Sequence, residues 1–191
     1  MMVGGNPFAA KTMWRIPKDS IGAELGVWKG DSSKLFLKRA KLLHLVDSWS
    51  IAPYSESDEH GNYEAYIQRY KKIVGSKDPK DFQKYYDKIY DSVVNRFKGQ
   101  SVNIHRCTTT EFFERSKGLQ LDWVYVDAAH SYEGCLNDLY GSLKIVKKGG
   151  FIFGDDYTNK PGVNKAVKQF VKETGLKFDN FYNNQFQIDV V

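Results

Sequence analysis

The stretch Ile21–Ser33 constrains the fold of this chain more than any other segment. A short apolar run ends in Glu24, two glycines follow at the spacing Glu-x-Gly-x-x-x-Gly, and a polar Asp-Ser-Ser segment opens the next predicted helix. This order is typical of a strand, a tight turn and a helix N-terminus in an α/β protein, where nucleotide-like ligands bind. Gly26 and Gly30 would permit a sharp turn and close approach of a ligand to the backbone. Glycines at this spacing also occur in ordinary strand-to-helix turns, so the motif alone does not establish a ligand site.

The chemistry of this turn favours a cationic ligand over a pyrophosphate. Trp28 stands where the dinucleotide-binding pattern Gly-x-Gly-x-x-Gly has a glycine, and Glu24 places an acid at the end of the strand. The free N–H groups near Asp31, Ser32 and Ser33 can hold a carboxylate or a phosphate. A zwitterionic amino acid that carries a sulfonium group fits both the acid and the helix N-terminus.

The alternation of apolar runs and amphipathic segments after residue 20 predicts a doubly wound, Rossmann-like α/β fold. We expect seven strands in a mostly parallel sheet, with the last strand antiparallel. After the strand that ends at Glu24, the predicted strands are Leu42–Val46, Ser101–His105, Leu121–Val126, Phe151–Phe153, Phe178–Phe181 and Phe186–Val190. The predicted helices are Leu35–Lys41, Tyr63–Val74, Asp81–Phe97, a short one capped by Thr108-x-x-Glu111, Tyr132–Val146 and Val163–Thr174.

Length and composition limit the class of protein. The 191 residues predict a single domain, 1–191, with an insertion at about 51–98 between the second and third strands. No stretch approaches the ~20 apolar residues of a membrane span, and the N-terminus lacks the apolar core of a signal peptide. Two cysteines are too few for a disulfide framework, so we expect a cytoplasmic protein with reduced thiols.

The net charge of +5 raises the question of a nucleic-acid partner. The lysines are scattered, however, whereas a nucleic-acid site requires a dense basic stripe with interleaved aromatic residues. We therefore expect a small-molecule ligand, with neither a membrane nor a nucleic acid as partner. A homo-oligomer stays open.

Acidic side chains follow the predicted strands at the edge of the sheet where ligands bind. The candidates at these strand ends are Glu24, Asp47, Cys107 with Thr108, Asp127, Asp155 and Asp156. Asp47 lies 21 residues after Gly26, close to the spacing of about 20 expected for an acid that binds both ribose hydroxyls. The alternative interpretation of Asp47 is a simple turn former.

Four segments in this order carry a resemblance to a known family: Glu24-x-Gly26-x-x-x-Gly30, Asp47, Asp127-x-x-His130-x-Tyr132-Glu133 and Gly149-Gly150-x-x-x-x-Asp155-Asp156-Tyr157. Together they resemble the class I S-adenosylmethionine-dependent methyltransferases. The narrower likeness is to the small O-methyltransferase group related to macrocin O-methyltransferase.

The resemblance implies a cofactor site for S-adenosylmethionine. The glycines of the first segment would line its methionine part, with Ser32 or Ser33 at the carboxylate and Glu24 or Asp127 near the amino group. Asp47 would hold the ribose. Thr108 with Cys107 would flank the adenine.

The resemblance also implies a magnesium ion on Asp127, Asp155 and Asp156. Neighbouring strands lie ~4.8 Å apart, so acids at their ends can share one hard cation. Such an ion would lower the pKa of an acceptor hydroxyl and orient it. The sequence departs from the family pattern at Ala129, where sugar-methylating members can carry an acid as base. The role of base then falls to His130, since an imidazole titrates near neutrality; the alternative is a structural hydrogen bond to a loop carbonyl.

The predicted function is transfer of a methyl group to an oxygen of a small molecule such as a sugar or a phenol, with Asp127 and His130 as the catalytic residues. Two alternatives stay open. One is a methyltransferase that acts on nucleic acid, although the chain lacks the Asn/Asp-Pro-Pro-aromatic tetrapeptide of amino-methylating enzymes. The other is a non-catalytic S-adenosylmethionine-binding partner protein, which the alanine at position 129 would suit.

Overall fold

The computed structural model describes residues 8–50 and 63–191. The strands in these ranges are β1 (Ser20–Leu25), β2 (Ala40–Asp47), β3 (Val102–Arg106), β4 (Leu121–Val126), β5 (Val146–Gly154), β6 (Lys177–Tyr182) and β7 (Gln185–Asp189). The helices are α1 (Ala9–Arg15), α2 (Asp31–Phe36), α3 (Tyr63–Val74), α4 (Pro79–Arg96), α5 (Thr109–Arg115), α6 (Tyr132–Ile145) and α7 (Pro161–Thr174).

The strands form one seven-stranded sheet in the order β3-β2-β1-β4-β5-β7-β6. Neighbours from β3 to β5 pair in parallel, whereas β7 pairs antiparallel with both β5 and β6. The predicted fold class is therefore confirmed. The strand order reverses between β1 and β4, and in an open α/β sheet ligands bind at the carboxyl ends of the strands on either side of such a reversal.

Each face of the sheet carries its own apolar layer. Strand β4 supplies both, because successive side chains of a strand point to opposite faces. Trp123 and Tyr125 pack with the helices of the α1, α2 and α4 side, while Val124 and Val126 pack with α5, α6 and α7. Buried aromatic rings such as Phe36 thus fix the helices against a sheet that is covered on both sides.

Helix α4 confirms the helix predicted at Asp81–Phe97, although it begins two residues earlier, at Pro79. Phe82, Tyr86, Ile89 and Val93 are buried along one face, as their three- and four-residue spacing requires. The helix begins one turn after Gly75, where the side chain of Asp78 accepts a hydrogen bond from the N–H of residue 80. Residues 51–62 of the predicted insertion lie outside the described residues.

Two predicted boundaries are wrong. The helix predicted at Leu35–Lys41 is α2, which begins at Asp31, because Gly30 adopts φ +76° and allows the turn to enter the helix at once. Strand β2 already begins at Ala40, opposite Ser20 of β1.

The predicted turn Lys147–Gly150 belongs instead to β5, which starts directly after α6. This segment gains its backbone hydrogen bonds from the end of the chain: Gly149 N–H donates to Val190 O at 2.7 Å, and Val190 N–H donates to Gly150 O at 2.9 Å. A long-range pairing of this kind leaves no local sequence signal. Helix α1 is also absent from the sequence-based prediction.

Among the helices of the described ranges, none combines the length and the apolar character that crossing a lipid bilayer requires.

Candidate functional site

The glycine turn brings the carboxyl ends of three strands into contact. Gly26 has φ +87°, and its N–H donates to Val46 O of β2 at 2.9 Å. A Cβ on Gly26 would lie 2.0 Å from the carbonyl oxygen of Asp127, which follows β4. Only glycine fits here, for reasons of both conformation and space. The turn predicted from the sequence is therefore a close junction between β1, β2 and β4.

Two tryptophans hold the rest of the turn. Trp28 has φ +51° and packs edge-on against Tyr86 of α4, with ring centroids 5.8 Å apart. The indole N–H of Trp49, which follows β2, donates to Trp28 O at 2.9 Å. The buried Trp49 thus stabilises the turn through this hydrogen bond, a role that was not predicted from the sequence.

Glu24 lies at the base of the turn and is 1% exposed. Its carboxyl group accepts a hydrogen bond from the hydroxyl of Ser33, in the first turn of α2. Burial raises the pKa of Glu24 well above its ordinary value, the Ser33 bond opposes that shift, and the charges of Asp127 and Asp47 add to it. The free protein therefore holds a carboxyl group that favours its neutral form, in a place where a cation would stabilise the charged form. Ser32, beside Ser33, is 9% exposed.

Asp47 joins the loop after β1 to the loop after β2 by hydrogen bonds. Its two carboxylate oxygens accept from the N–H groups of Trp28 at 2.9 Å and Trp49 at 2.8 Å. Burial raises the pKa of Asp47, and backbone donors of the two loops, Val27 and Ser48 among them, oppose that rise. Asp47 thus holds the two loops together by hydrogen bonds, and its predicted role in binding the ribose stays a prediction.

The predicted adenine-binding pair lies where β3 ends. Cys107 is buried, and its N–H donates to Asp47 O at 3.1 Å. Thr108 is exposed and caps α5: its hydroxyl accepts from Glu111 N–H at 3.2 Å, and its own N–H donates to the Glu111 carboxylate at 2.8 Å. This capping box confirms the helix start that the spacing predicts.

Beyond the end of β4, the structure brings together Asp127, His130 and Asp156. His130 Nε2 lies 2.6 Å from a carboxylate oxygen of Asp156 and 3.9 Å from one of Asp127. One potential ligand atom from each of these three residues lies within 4.8 Å of the other two. The exposed fraction of the side chain is 19% for His130, 18% for Asp156 and 24% for Asp127, so a ligand or an ion can reach all three.

The two acids of this cluster titrate in opposite directions. Burial is the main cause that raises the pKa of Asp127 to about 7, with the charges of Asp155 and Asp156 adding to it and His130 opposing it. Burial also pushes the pKa of Asp156 upward, but the hydrogen bond and charge of His130 outweigh it and lower that pKa below its ordinary value. The cluster thus contains one ionised acid beside the imidazole and one acid near half-protonation at neutral pH.

Asp155 directly follows β5, at the strand end where it was predicted. It is 7% exposed, its N–H donates to Val126 O at 3.2 Å, and its carboxylate accepts from Asp156 N–H at 2.7 Å. Asp156 has φ +65°, a conformation that Asp tolerates better than most residues. The metal set of Asp127, Asp155 and Asp156 stays a prediction; among the described residues, the group whose potential ligand atoms converge consists of Asp127, His130 and Asp156.

The loop that carries Asp127 and His130 is tightly supported. A Cβ on Gly134 would lie 2.6 Å from Ala129 Cβ, and a Cβ on Gly162 would lie 2.3 Å from His130 O. Asp138 of α6, 1% exposed, accepts hydrogen bonds from the N–H of Ala129 and from the side chain of Thr109. Burial raises the pKa of Asp138 to about 7.

Sequence analysis missed Asp138. The available signal is an acid within the apolar face of an amphipathic helix, between Cys135 and Ser142 at three- and four-residue spacing.

Comparison with known proteins agrees with this geometry. A family model described as a methyltransferase domain matches residues 23–157, from β1 to just beyond the Asp127–His130–Asp156 cluster. The chain belongs to this methyltransferase domain family. A comparison of the sequence with curated proteins gives no match.

Solved structures show the same fold at low identity. The O-methyltransferase NovP superposes with a TM-score of 0.61 at 15% identity, over 96% of this chain and 78% of NovP. An rRNA methylase from Streptococcus thermophilus gives a TM-score of 0.57 at 9% identity, over 100% and 99% of the two chains. SMU.1697c from Streptococcus mutans was solved in complex with SAH (S-adenosylhomocysteine), and it gives a TM-score of 0.57 at 12% identity over 100% of both chains. At these identities the likeness shows the methyltransferase fold and leaves the acceptor open.

Proposed function

We propose that this methyltransferase domain transfers a methyl group from S-adenosylmethionine to an oxygen of a small molecule. The observation that carries the proposal is the Asp127–His130–Asp156 cluster, which adjoins the glycine turn through the contact between Gly26 and the Asp127 carbonyl. The family match and the S. mutans structure with SAH support the donor. The likeness to NovP supports an oxygen acceptor.

Glu24 suits the charge of this donor. S-adenosylmethionine carries a sulfonium and an ammonium group, and either one beside Glu24 would favour the ionised carboxylate. Ser33 orients that carboxylate by its hydrogen bond. The remaining sites proposed for the donor are the backbone of Gly26 and Gly30, Ser32, Asp47, Cys107 and Thr108.

His130 is proposed to take the proton of the acceptor hydroxyl. Its Nε2 contact with Asp156 fixes the ring and stabilises the imidazolium that forms when the proton arrives. The sulfonium is already a good leaving group, so positioning the acceptor and removing its proton are the main tasks for the protein. The methyl group passes to the acceptor oxygen, and the pair of electrons of the broken carbon–sulfur bond stays on sulfur.

A metal ion also fits the cluster, and the donor set suggests which kind. Two carboxylates and one imidazole suit Mn²⁺ or Zn²⁺ at least as well as Mg²⁺, which prefers oxygen ligands. An ion held there by Asp127, His130 and Asp156 would lower the pKa of an acceptor hydroxyl, and His130 would then serve as its ligand instead of as the base. The proposal therefore shifts the predicted set of Asp127, Asp155 and Asp156 toward one that contains His130.

The experiment that tests the function measures SAH released from S-adenosylmethionine with panels of sugars and phenols, in the presence and absence of a chelator. His130→Gln should reduce kcat by about 10²–10⁴-fold if His130 is the base. Loss of release with every oxygen acceptor, together with release on an RNA oligonucleotide, would overturn the small-molecule assignment.

The metal set is tested separately by titration with Mg²⁺, Mn²⁺ and Zn²⁺ in the presence of SAH. If the cluster of the structure is the site, His130→Gln abolishes saturable binding and Asp155→Asn retains it. The reverse result would restore the set of three acids. No saturable binding of any ion would remove the metal from the proposal and leave His130 as the base.

A further inference from the structure

A cleft lies between α4 and the glycine turn, on the outer side of that turn. It is lined by Lys29, Asp31, Tyr85, Lys88, Ile89, Ser92 and Arg96, and it has a volume of about 690 Å³. The residues from α4 fall at intervals of three and four, so they share one face of the helix. This volume is within the range of small-molecule pockets.

The lining of the cleft contains three basic residues and one acid, and a single ion pair joins that acid to one of the basic residues. Asp31 is the acid of the lining, and Arg96 Nη1 already pairs with its carboxylate at 2.7 Å. The same nitrogen donates to Lys29 O at 2.7 Å. A guanidinium group has five N–H donors, so those of Nε and Nη2 stay available.

The two lysines of the lining have no acidic partner in the described parts of the chain. Lys88 has no ion pair there, whereas Lys84, one turn earlier on α4, pairs with Asp81 at 3.0 Å. Lys29 contacts the ring of Trp28, with its ammonium 5.9 Å from the ring centroid. The lining of the cleft therefore contains two lysines without an acidic partner in the described residues and one arginine, and its acid Asp31 is already paired with that arginine.

The remaining lining residues are Tyr85, Ile89 and Ser92. Ile89 is 5% exposed and belongs to the core beneath α4. The ring of Tyr85 packs against Trp28, with centroids 6.1 Å apart. Such walls accommodate a planar or apolar body that carries the anionic group.

We propose that this cleft binds the phosphate group of a phosphorylated small molecule. A phosphate presents several acceptor oxygens to the two ammonium groups and the guanidinium group, which form charge-assisted hydrogen bonds with it. Tyr85 and Ile89 contact the body to which the phosphate is attached. The phosphate-ester chain of a nucleic acid offers the same chemistry, and the experiment separates the two sources.

Occupation of the cleft would act on the glycine turn. Lys29 belongs to that turn, and Arg96 ties α4 to it through Lys29 O and Asp31. A bound phosphate that holds Lys29 and Arg96 reduces the freedom of the turn, so it should tighten binding of SAH, and SAH should tighten binding of the phosphate by the same factor. This coupling rests on the proposed function, whereas binding of phosphate to the cleft does not.

The test is calorimetric titration of the protein with phenyl phosphate, with inorganic phosphate and with phenol. A double variant, K29Q/K88Q, removes both free ammonium groups of the cleft. A second, K168Q/K172Q, removes two exposed ammonium groups from α7, on the opposite side of the sheet, and lowers the net charge equally. Thermal melting of each variant shows that it is folded.

We expect saturable binding of phenyl phosphate, weaker binding of inorganic phosphate and none of phenol. K29Q/K88Q should weaken the binding of phenyl phosphate by about tenfold or more, and K168Q/K172Q by less than about twofold. Equal weakening in the two variants, or no saturable binding by the parent protein, overturns the proposal.

A ten-residue uridine oligonucleotide forms the second arm. One combined result is that the parent protein binds the oligonucleotide but not phenyl phosphate, and that K29Q/K88Q does not bind the oligonucleotide. This result assigns the cleft to nucleic acid and overturns the small-molecule proposal. The titration with phenyl phosphate is repeated with SAH present. If SAH does not bind at all, the proposed function fails, while the titration without SAH still decides whether the cleft binds phosphate.

Discussion

At the scale of single residues, the candidate site contains several carboxyl groups whose burial favours the protonated, uncharged form. Glu24, Asp127 and Asp138 all have raised pKa values, and burial is the main cause in each. From the sequence, Glu24 was expected to carry a negative charge that attracts a cation. In the structure its charge depends on the ligand, since a cation beside the buried carboxyl group favours loss of its proton.

This dependence predicts that SAH binding releases a proton from Glu24. The amino group of SAH carries a positive charge, so the bound state lowers the pKa that burial has raised, and affinity should increase with pH through the range in which free Glu24 holds its proton. Calorimetry in buffers of different ionisation enthalpy measures the number of protons released. Glu24→Gln, which cannot titrate, should bind SAH with correspondingly smaller proton release; equal release by parent and variant would contradict the role of Glu24.

Asp138 gives a prediction for stability against pH. Its pKa is about 7 in the folded protein and 3.8 in the unfolded chain. Between these values the folded state holds a proton that the unfolded state has lost, so the free energy of unfolding falls as pH rises from 4 to 7. The maximum slope from one such group is about 1.4 kcal/mol per pH unit.

The measurement is urea unfolding of the parent and of Asp138→Asn between pH 4.5 and 7.5. Glu24 and Asp127 contribute shifts of the same sign, so the informative quantity is the difference between the two proteins. We expect the variant to lose less stability over this range. Identical slopes would show that Asp138 is ionised in the folded protein.

At the scale of elements, the junction of β1 with β4 depends on the absence of a side chain at Gly26. Gly26 and Gly118 both have φ +87°, but a Cβ at Gly118 has no atom within 4 Å, whereas at Gly26 it meets Asp127 O at 2.0 Å. The pair therefore separates the cost of the backbone conformation from the cost of the close approach.

Gly118→Ala should reduce the free energy of unfolding by about 1–2 kcal/mol, the cost of a left-handed conformation for alanine. Gly26→Ala should cost about 1–3 kcal/mol more, because overpacking is added to the same strain. Denaturant unfolding compares the two variants with the parent. Equal losses would mean that β1 and β4 can separate freely at this point.

The elements also show where prediction from sequence succeeds. Helix α4 was predicted close to its observed bounds because its buried face repeats at helical spacing. The prediction began at Asp81 because it did not use the start signal of Asp78 and Pro79. The helix predicted at Leu35–Lys41 ends too late because the apolar pattern around Leu35 gives no sign of the strand pairing that begins at Ala40. Strand β5 was predicted too short because its glycines pair with the end of the chain. Local patterns identify elements, whereas long-range pairing sets their limits.

At the scale of the whole molecule, the sheet topology assembles the site from distant parts of the chain. Asp127 and His130 follow β4, Asp156 follows β5, and parallel pairing of these strands brings them together. The sequence predicted the acids at these strand ends because strand ends can be read from apolar runs. It named both Asp155 and Asp156, whereas the contact between Asp156 and His130 depends on the conformation of the loop, in which Asp156 has φ +65°.

Every proposed role in the site requires that the protein binds S-adenosylmethionine, and titration of the protein with SAH tests this binding most directly. We predict saturable binding of one SAH per chain, and at an SAH concentration of 100 times Kd a stabilisation of about 2.7 kcal/mol, which corresponds to a rise in Tm of about 5–10 °C. Adenosine alone, which lacks the amino acid, should bind far more weakly. No heat of binding and no change in Tm at millimolar SAH would contradict the assignment of this protein as an S-adenosylmethionine-dependent methyltransferase.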